Sequence, residues 1–299
     1  MQNQIELLSQ GIPVKMLQQA FEELSARYRT KEKPYLTSHT HYLAYLITRM
    51  PATNAALSQV FKQAHNFDPL SLLDLGAGPG TGYLAAKTYF PNLTQATLVE
   101  ADAKFIALGK QLITDSVLWQ HTALPCPLKP HDLVLLSYSL NEMKDPAQIV
   151  KTAWQATQQL LVIIEPGTPE GYQRIIEMRT MLLSLGAHMV APCPNALPCP
   201  MQESNWCHFP ARLSRSKLHK QLKGGDLGYE DEKFSYLIVS KTAYDTPRAR
   251  IVAPLGMHTG HVQLTLCSEG ELKSCTVSQK DKLLYKKCRK AEWGDSLEK

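Results

Sequence analysis

A chain of 299 residues, 44% apolar and 20% charged, has room for one large domain or two modest ones and for a substantial core. Its seven cysteines do not make a disulfide scaffold at this length, so clustered cysteines point to metal or redox chemistry and scattered ones to packing. The formal charge of +5 is mild but uneven: the basic segments run from Arg212 to Lys223 and from Lys280 to Lys290, which suits either a polyanion partner or a solvated face.

The first residues, MQNQIELLSQGIP, have neither the charged-then-apolar build of a signal peptide nor the Arg-rich build of a transit peptide. No apolar run reaches membrane-spanning length, so a cytoplasmic, monomeric protein without a membrane partner is expected. Residues 1–68 read as a helical region, because VKMLQQAFEELSARY and HYLAYLITRM carry apolar positions at three- and four-residue spacing; Pro51 is expected to end or restart a helix. Residues 69–241 change texture. Short apolar runs (SLLDLG, QATLVE, HDLVLLSYS and QLLVIIEPG), each followed by enough chain for a helix, predict βαβ units and a mainly parallel α/β sheet. Two later strands, AHMVAP and FSYLIVSK, flank a cysteine-rich insertion at 191–232. Residues 242–299 alternate apolar and polar residues around glycine turns, predicting a small antiparallel β appendage and a basic tail with Tyr285 and Trp293.

The stretch LLDLGAGPGTGYLAA follows a predicted strand and opens a predicted helix, where glycines let backbone approach a ligand and the helix start offers free N–H groups. Neither the dinucleotide pattern G-x-G-x-x-G nor a P-loop lysine fits. Acidic-x-Gly-x-Gly-x-Gly does fit, with Asp74, Gly76, Gly78 and Gly80, and it resembles the first motif of class I S-adenosylmethionine (SAM) methyltransferases. That resemblance implies a Rossmann-like sheet and a SAM site, with Glu100, in TLVEAD, standing where an acidic residue binds the ribose hydroxyls. Glycine clusters of this kind also serve tight strand-to-helix packing without any ligand.

In such enzymes the fourth strand ends at the reacting atoms, here LLSYSLNEM. This segment has no Asn/Asp-Pro-Pro-aromatic turn for amine methylation and no cysteine nucleophile. Asn141 and Glu142 are candidates for orienting or deprotonating an acceptor, and equally for capping the next helix.

Cys126, Cys275 and Cys288 read as packing residues. Cys193, Cys199 and Cys207 are clustered at gaps wider than those of zinc ribbons, and the first two are each followed by proline, as some iron–sulfur ligands are. Next, Arg212, Arg215, His219 and Lys223 are expected on one face of a helix, a cationic stripe beside Trp206 and Phe209 suited to an RNA backbone.

The combination of LLDLGAGPGTG, the C-P-x4-C-P cluster, WCHF followed by spaced Arg and His, YEDEKFSYL, RMPAT near Arg49 and a closing WGD resembles the methyltransferase-like small-ribosomal-subunit family, which occurs in bacteria and as a mitochondrial ribosomal protein or assembly factor. The resemblance covers nearly the whole chain. It implies a [4Fe–4S] cluster held by Cys193, Cys199, Cys207 and Cys267, and a partnership with small-subunit rRNA. One departure is PNALP between the first two cysteines, where relatives often carry His-Asp-Gly. On thiol chemistry alone zinc remains the competing ligand. Three functions stay open: methylation of small-subunit RNA, a non-catalytic rRNA-binding assembly platform, and a small-molecule methyltransferase with a structural zinc.

Overall fold

The structure, a computed structural model, describes residues 2–201 and 205–297; Met1, Gln202, Glu203 and Ser204 of the expected insertion, and Glu298 and Lys299 of the expected basic tail lie outside the described residues. Three helices lead the chain: α1 (Gln2–Leu8), α2 (Val14–Thr30) and α3 (His39–Lys62). α2 buries Leu17, Ala20 and Leu24, the spacing of one helical face. α3 begins at Ser38, whose hydroxyl accepts from the His41 N–H. It continues through Pro51, contrary to expectation. A proline costs one intrahelical hydrogen bond, but Met50 and Ala52 on either side are fully buried, and that packing holds the helix together across the break.

The alternating part follows as β1 (Ser71–Leu75), α4 (Thr81–Tyr89), β2 (Gln95–Glu100), α5 (Ala103–Leu112), β3 (Leu118–His121), β4 (His131–Ser137), α6 (Pro146–Ala156), β5 (Thr157–Pro166), α7 (Pro169–Ser184), β6 (His188–Ala191), β7 (Phe209–Ser214), α8 (Lys217–Lys223) and β8 (Tyr229–Ser240). The sheet runs β3-β2-β1-β4-β5-β8-β6, with β7 added on β8. β1 to β5 pair in parallel, while β8 is antiparallel to β5, β6 and β7. This is the Rossmann-like α/β architecture expected of a class I SAM-methyltransferase fold. Strand residues alternate between two cores: Leu133, Leu135, Leu160 and Val162 pack on the side of α3 and α4, and Val134, Leu136, Leu161 and Ile163 on the side of α6 and α7. Both faces of the sheet are therefore covered, which is why its strands read as continuous apolar runs. The order reverses between β1 and β4, opening a crevice at their carboxyl ends.

A second sheet closes the chain: β9 (Ala249–Ile251), β10 (Gly256–His258), β11 (His261–Ser268) and β12 (Glu271–Ser278), then α9 (Lys282–Cys288) and β13 (Ser296–Leu297). Its order is β10-β11-β9-β13, with β12 on β11, and all its pairings are antiparallel. Among the described residues no helix is long and apolar enough to cross a membrane.

Candidate functional site

The turn after β1 is left-handed at Gly76, Gly78 and Gly80, with φ of +77°, +55° and +85°. At Gly80, the N-cap of α4, a side chain would also strike Ile113, 2.4 Å from where its Cβ would sit. Gly78 instead has open space there, and its N–H donates to Glu100 Oε2 at 2.7 Å. Glu100 ends β2, and its Oε1 accepts from Asp102 N–H at 2.8 Å. A carboxylate has about four acceptor positions, so two remain for a diol.

Gly76, Gly78 and Glu100 line a cavity of about 960 Å³ at the carboxyl ends of β1, β2 and β4, together with Asp102, Ser137, Tyr138, Ser139 and Glu142. That volume lies at the upper end for ligand pockets. Its other wall comes from the leading helices and the loop between them, through Tyr28, Tyr35 and Tyr45; the first two stack at 4.3 Å. Sequence reading missed this wall, because helical periodicity tells which face is buried but not against what. Tyr138 was missed too. It holds a left-handed φ of +55°, and its buried hydroxyl has no hydrogen-bond partner. Arg49 lies over its ring at 5.8 Å.

Asp74 is buried and does not line this cavity. Its Oδ2 has no partner, and burial, reinforced by the charge of Glu100, pushes its carboxyl up to about 8. Glu142 lies on the cavity wall in a short turn, Leu140–Glu142. Asn141 is exposed and away from the cavity. Neither residue caps α6, since Asp145 does so by accepting from Gln148 N–H.

Cys193, Cys199, Cys207 and Cys267 line a second cavity, between α7, the insertion and the C-terminal sheet. Among the described residues no carboxylate or imidazole lines it, so the donors there are the four thiols, Met201 and the hydroxyls of Tyr172 and Tyr236. Burial, and then the neighbouring Cys193 and Cys199, push Cys267 up to about 12, and Cys207 is raised well above the usual thiol range for the same reasons. Among the described residues no group of three or more side chains stands closely enough, as placed, to hold a single metal ion. The Tyr172 hydroxyl lies 3.4 Å from Cys199 Sγ.

The cationic stripe is not where helical spacing put it. Arg212 belongs to strand β7, because Phe209, Ala211 and Leu213 bury on alternate positions against β8; Arg215 follows the strand, and only His219 and Lys223 lie on α8. Nor are these cations free. Arg212 pairs with Asp231 through Nε and Nη2 at 2.7 and 2.8 Å. Arg215 and Lys223 both donate to Glu230 Oε2, and buried His219 stands 3.5 Å from Oε1. Glu232 takes both terminal nitrogens of Arg49. Glu230 and Asp231 of YEDEKF thus engage the stripe, a cue present in the sequence eighteen and nineteen residues after Arg212.

The sequence model of the family described as mitochondrial small ribosomal subunit Rsm22 matches residues 39–298. The chain belongs to this family. Two curated relatives are the human mitochondrial ribosome assembly protein METTL17, 27% identical over 85% of this chain, and the Rsm22-cox11 tandem protein 2 of Schizosaccharomyces pombe, also mitochondrial, 26% identical over 91% of it. The chain spans 62% of the human protein's length and 45% of the yeast protein's. A solved SAM-dependent methyltransferase from Aquifex aeolicus is similar with a TM-score of 0.45 at 11% identity, over 69% of this chain and 100% of its own. The cytoplasmic location expected from the first residues is corrected by the Rsm22 match: the family description and both relatives are mitochondrial.

Proposed function

We propose that this Rsm22-family chain is a SAM-binding assembly factor of the small ribosomal subunit, held in shape by a [4Fe–4S] cluster on Cys193, Cys199, Cys207 and Cys267. The observation that carries this reading is the meeting of four thiols, three from the insertion and one from β11, in one cavity that no carboxylate of the described residues lines. Four thiols also suit tetrahedral zinc, which is the competing occupant of the same cavity. The relative named as a ribosome assembly protein supports the partner. Exposed cations with no acid partner among the described residues lie at Lys280, Lys282, Lys286, Lys287 and Lys290, and we place the RNA backbone there rather than along Arg212 to Lys223.

SAM would sit in the larger cavity, with its ribose on Glu100 and its amino-acid end near Gly76, Gly78 and Gly80. When bound it supplies an electrophilic methyl group. Asp74 is buried away from this cavity and is not placed in contact with the cofactor. A second reading, methyl transfer to RNA, is favoured by Glu142 on the wall of a cavity wide enough for an acceptor beside the cofactor.

The test is anaerobic purification with iron, sulfide and zinc assay, joined to small-subunit maturation in a deletion strain rescued by wild type or Cys267→Ser. Stoichiometric iron and sulfide, with loss of both metal and maturation in the variant, is expected. Zinc without iron removes the cluster; normal maturation without the gene removes the assembly role.

A further inference from the structure

The thiol cavity is bordered by two buried arginines that the sequence reading did not single out. Arg179, on α7, is 5% exposed and Arg250, on β9, 2% exposed, and both line the cavity. Buried guanidinium groups are normally paired with carboxylates, because an uncompensated charge in the interior costs several kcal/mol. Here the hydrogen bonds go to neutral oxygens. Arg250 donates through Nε to Pro192 O at 2.7 Å and through Nη1 to Gln63 Oε1 at 2.6 Å and Gly294 O at 2.8 Å. Arg179 donates through Nη2 to Asn195 O at 3.1 Å and Leu197 O at 2.8 Å, and its buried Nε has no partner among the described residues. Among the described residues the cavity therefore gathers two cations and no anion, beside four thiols.

The missing negative charge has a natural source. Four thiolates outweigh the divalent core they bind, whether zinc or an iron–sulfur cube, and leave the centre net anionic. The backbone places both arginines for this task. Arg250 is the direct cross-strand partner of Cys267 between β9 and β11. Arg179 holds the carbonyls of the loop that joins Cys193 to Cys199. Resting on the metal-centre reading above, we infer that Arg179 and Arg250 are the counter-charges of an anionic tetrathiolate centre, and that Arg250 makes the seating of the C-terminal sheet depend on that centre. Its three acceptors explain the second part. Pro192 precedes the first ligand, Gln63 follows α3, and Gly294 belongs to the closing WGD, so one guanidinium joins the insertion, the leading helices and the chain's end. Without the anion this joint contains an uncompensated buried charge; with it the charge is balanced.

The test uses the full chain reconstituted anaerobically with iron and sulfide, and in parallel with zinc. Arg179→Met, Arg179→Lys, Arg250→Met and Arg250→Lys are compared for metal stoichiometry, rate of metal loss to a chelator, and protease cleavage in the Lys241 to Arg248 linker. Removing a buried counter-charge should speed metal loss about tenfold or more in each Met variant, with the Lys variants close to wild type. In the wild type, stripping the metal should expose the linker to protease. Equal loss rates for Met and wild type overturn the counter-charge role and leave the metal centre standing. Lys variants as impaired as Met variants show that shape rather than charge matters, and overturn it as well. A wild type that takes up neither metal overturns the metal-centre reading itself. If Arg250→Met does not fold, the Arg179 pair decides the counter-charge, and the stripped wild type decides the seating.

Discussion

Arg49 on α3 grips Glu232 on β8 through both terminal nitrogens, Nη1 to Oε2 at 3.1 Å and Nη2 to Oε1 at 3.0 Å. The pair fastens the leading helices to the far strand of the sheet, beside Tyr138 on the cavity wall. Because the pair is largely buried and two-pronged, Glu232→Gln should destabilise the protein by about 1 to 3 kcal/mol in urea unfolding. A double-mutant cycle with Arg49→Met should return a coupling well above that of an exposed pair. Additive single-variant losses would show the contact to be incidental.

Glu230 gives a pH prediction. Burial by itself would raise its carboxyl, but His219, Lys223 and Arg215 gathered around it overrule burial and hold it well below the usual carboxylate range. A carboxyl depressed on folding contributes stability that is present above its unfolded pKa of about 4.3 and is lost as pH falls toward the folded value. The stability advantage of wild type over Glu230→Gln should thus be full at neutral pH and shrink below about pH 4. A difference that is flat with pH in denaturant titrations would contradict this.

Asp74 predicts the opposite slope. Its folded carboxyl is pushed up to about 8 by burial, so the folded state keeps a proton that the unfolded state releases, and stability falls as pH rises from about 4 to 8. Asp74→Asn removes that proton linkage. Its stability relative to wild type should rise across this interval and level off above it, as read by thermal unfolding at a series of pH values.

For the larger cavity, Glu100→Ala should weaken SAM or S-adenosylhomocysteine binding by about 1 to 3 kcal/mol in calorimetry, the usual loss for charge-assisted hydrogen bonds. Since Glu100 also holds the N–H groups of Gly78 and Asp102, Glu100→Gln should lose less than the alanine. Unchanged affinity in Glu100→Ala would take the ribose away from this residue.

Most of the sheet was legible because its strands are buried on both faces and its glycine turn is required by backbone geometry. Gly76, Gly78 and Glu100 could be placed at one cavity from local sequence alone, since a strand end and the turn beside it are fixed by pairing in register, whereas Gly80 turns toward Ile113 and does not line it. The stretch from Phe209 to Lys223 misled because basic residues at three- and four-residue spacing (Arg212, Arg215, His219, Lys223) imitate a helix face, while the weaker alternation of Phe209, Ala211 and Leu213 marked a strand. Pro51 misled because local propensity yields to burial on both sides. Arg179 and Arg250 left no local signal, since what singles them out is the company they keep in three dimensions.

The consecutive acids Glu230, Asp231 and Glu232 sit where β7 and β8 run antiparallel, with Arg212 opposite Asp231 and Leu213 opposite Glu230. Successive strand residues point to opposite faces, so Glu230 and Glu232 serve α8 and α3 while Asp231 serves the outer side. A slip of one residue would turn every acid away from its base at the same moment and bring Leu213 to the wrong face. The charges thus act as a proofreading device for strand alignment: a misaligned hairpin forfeits the ion pairs of Arg49, Arg212 and Arg215 together, and only one alignment lets the leading helices lock on.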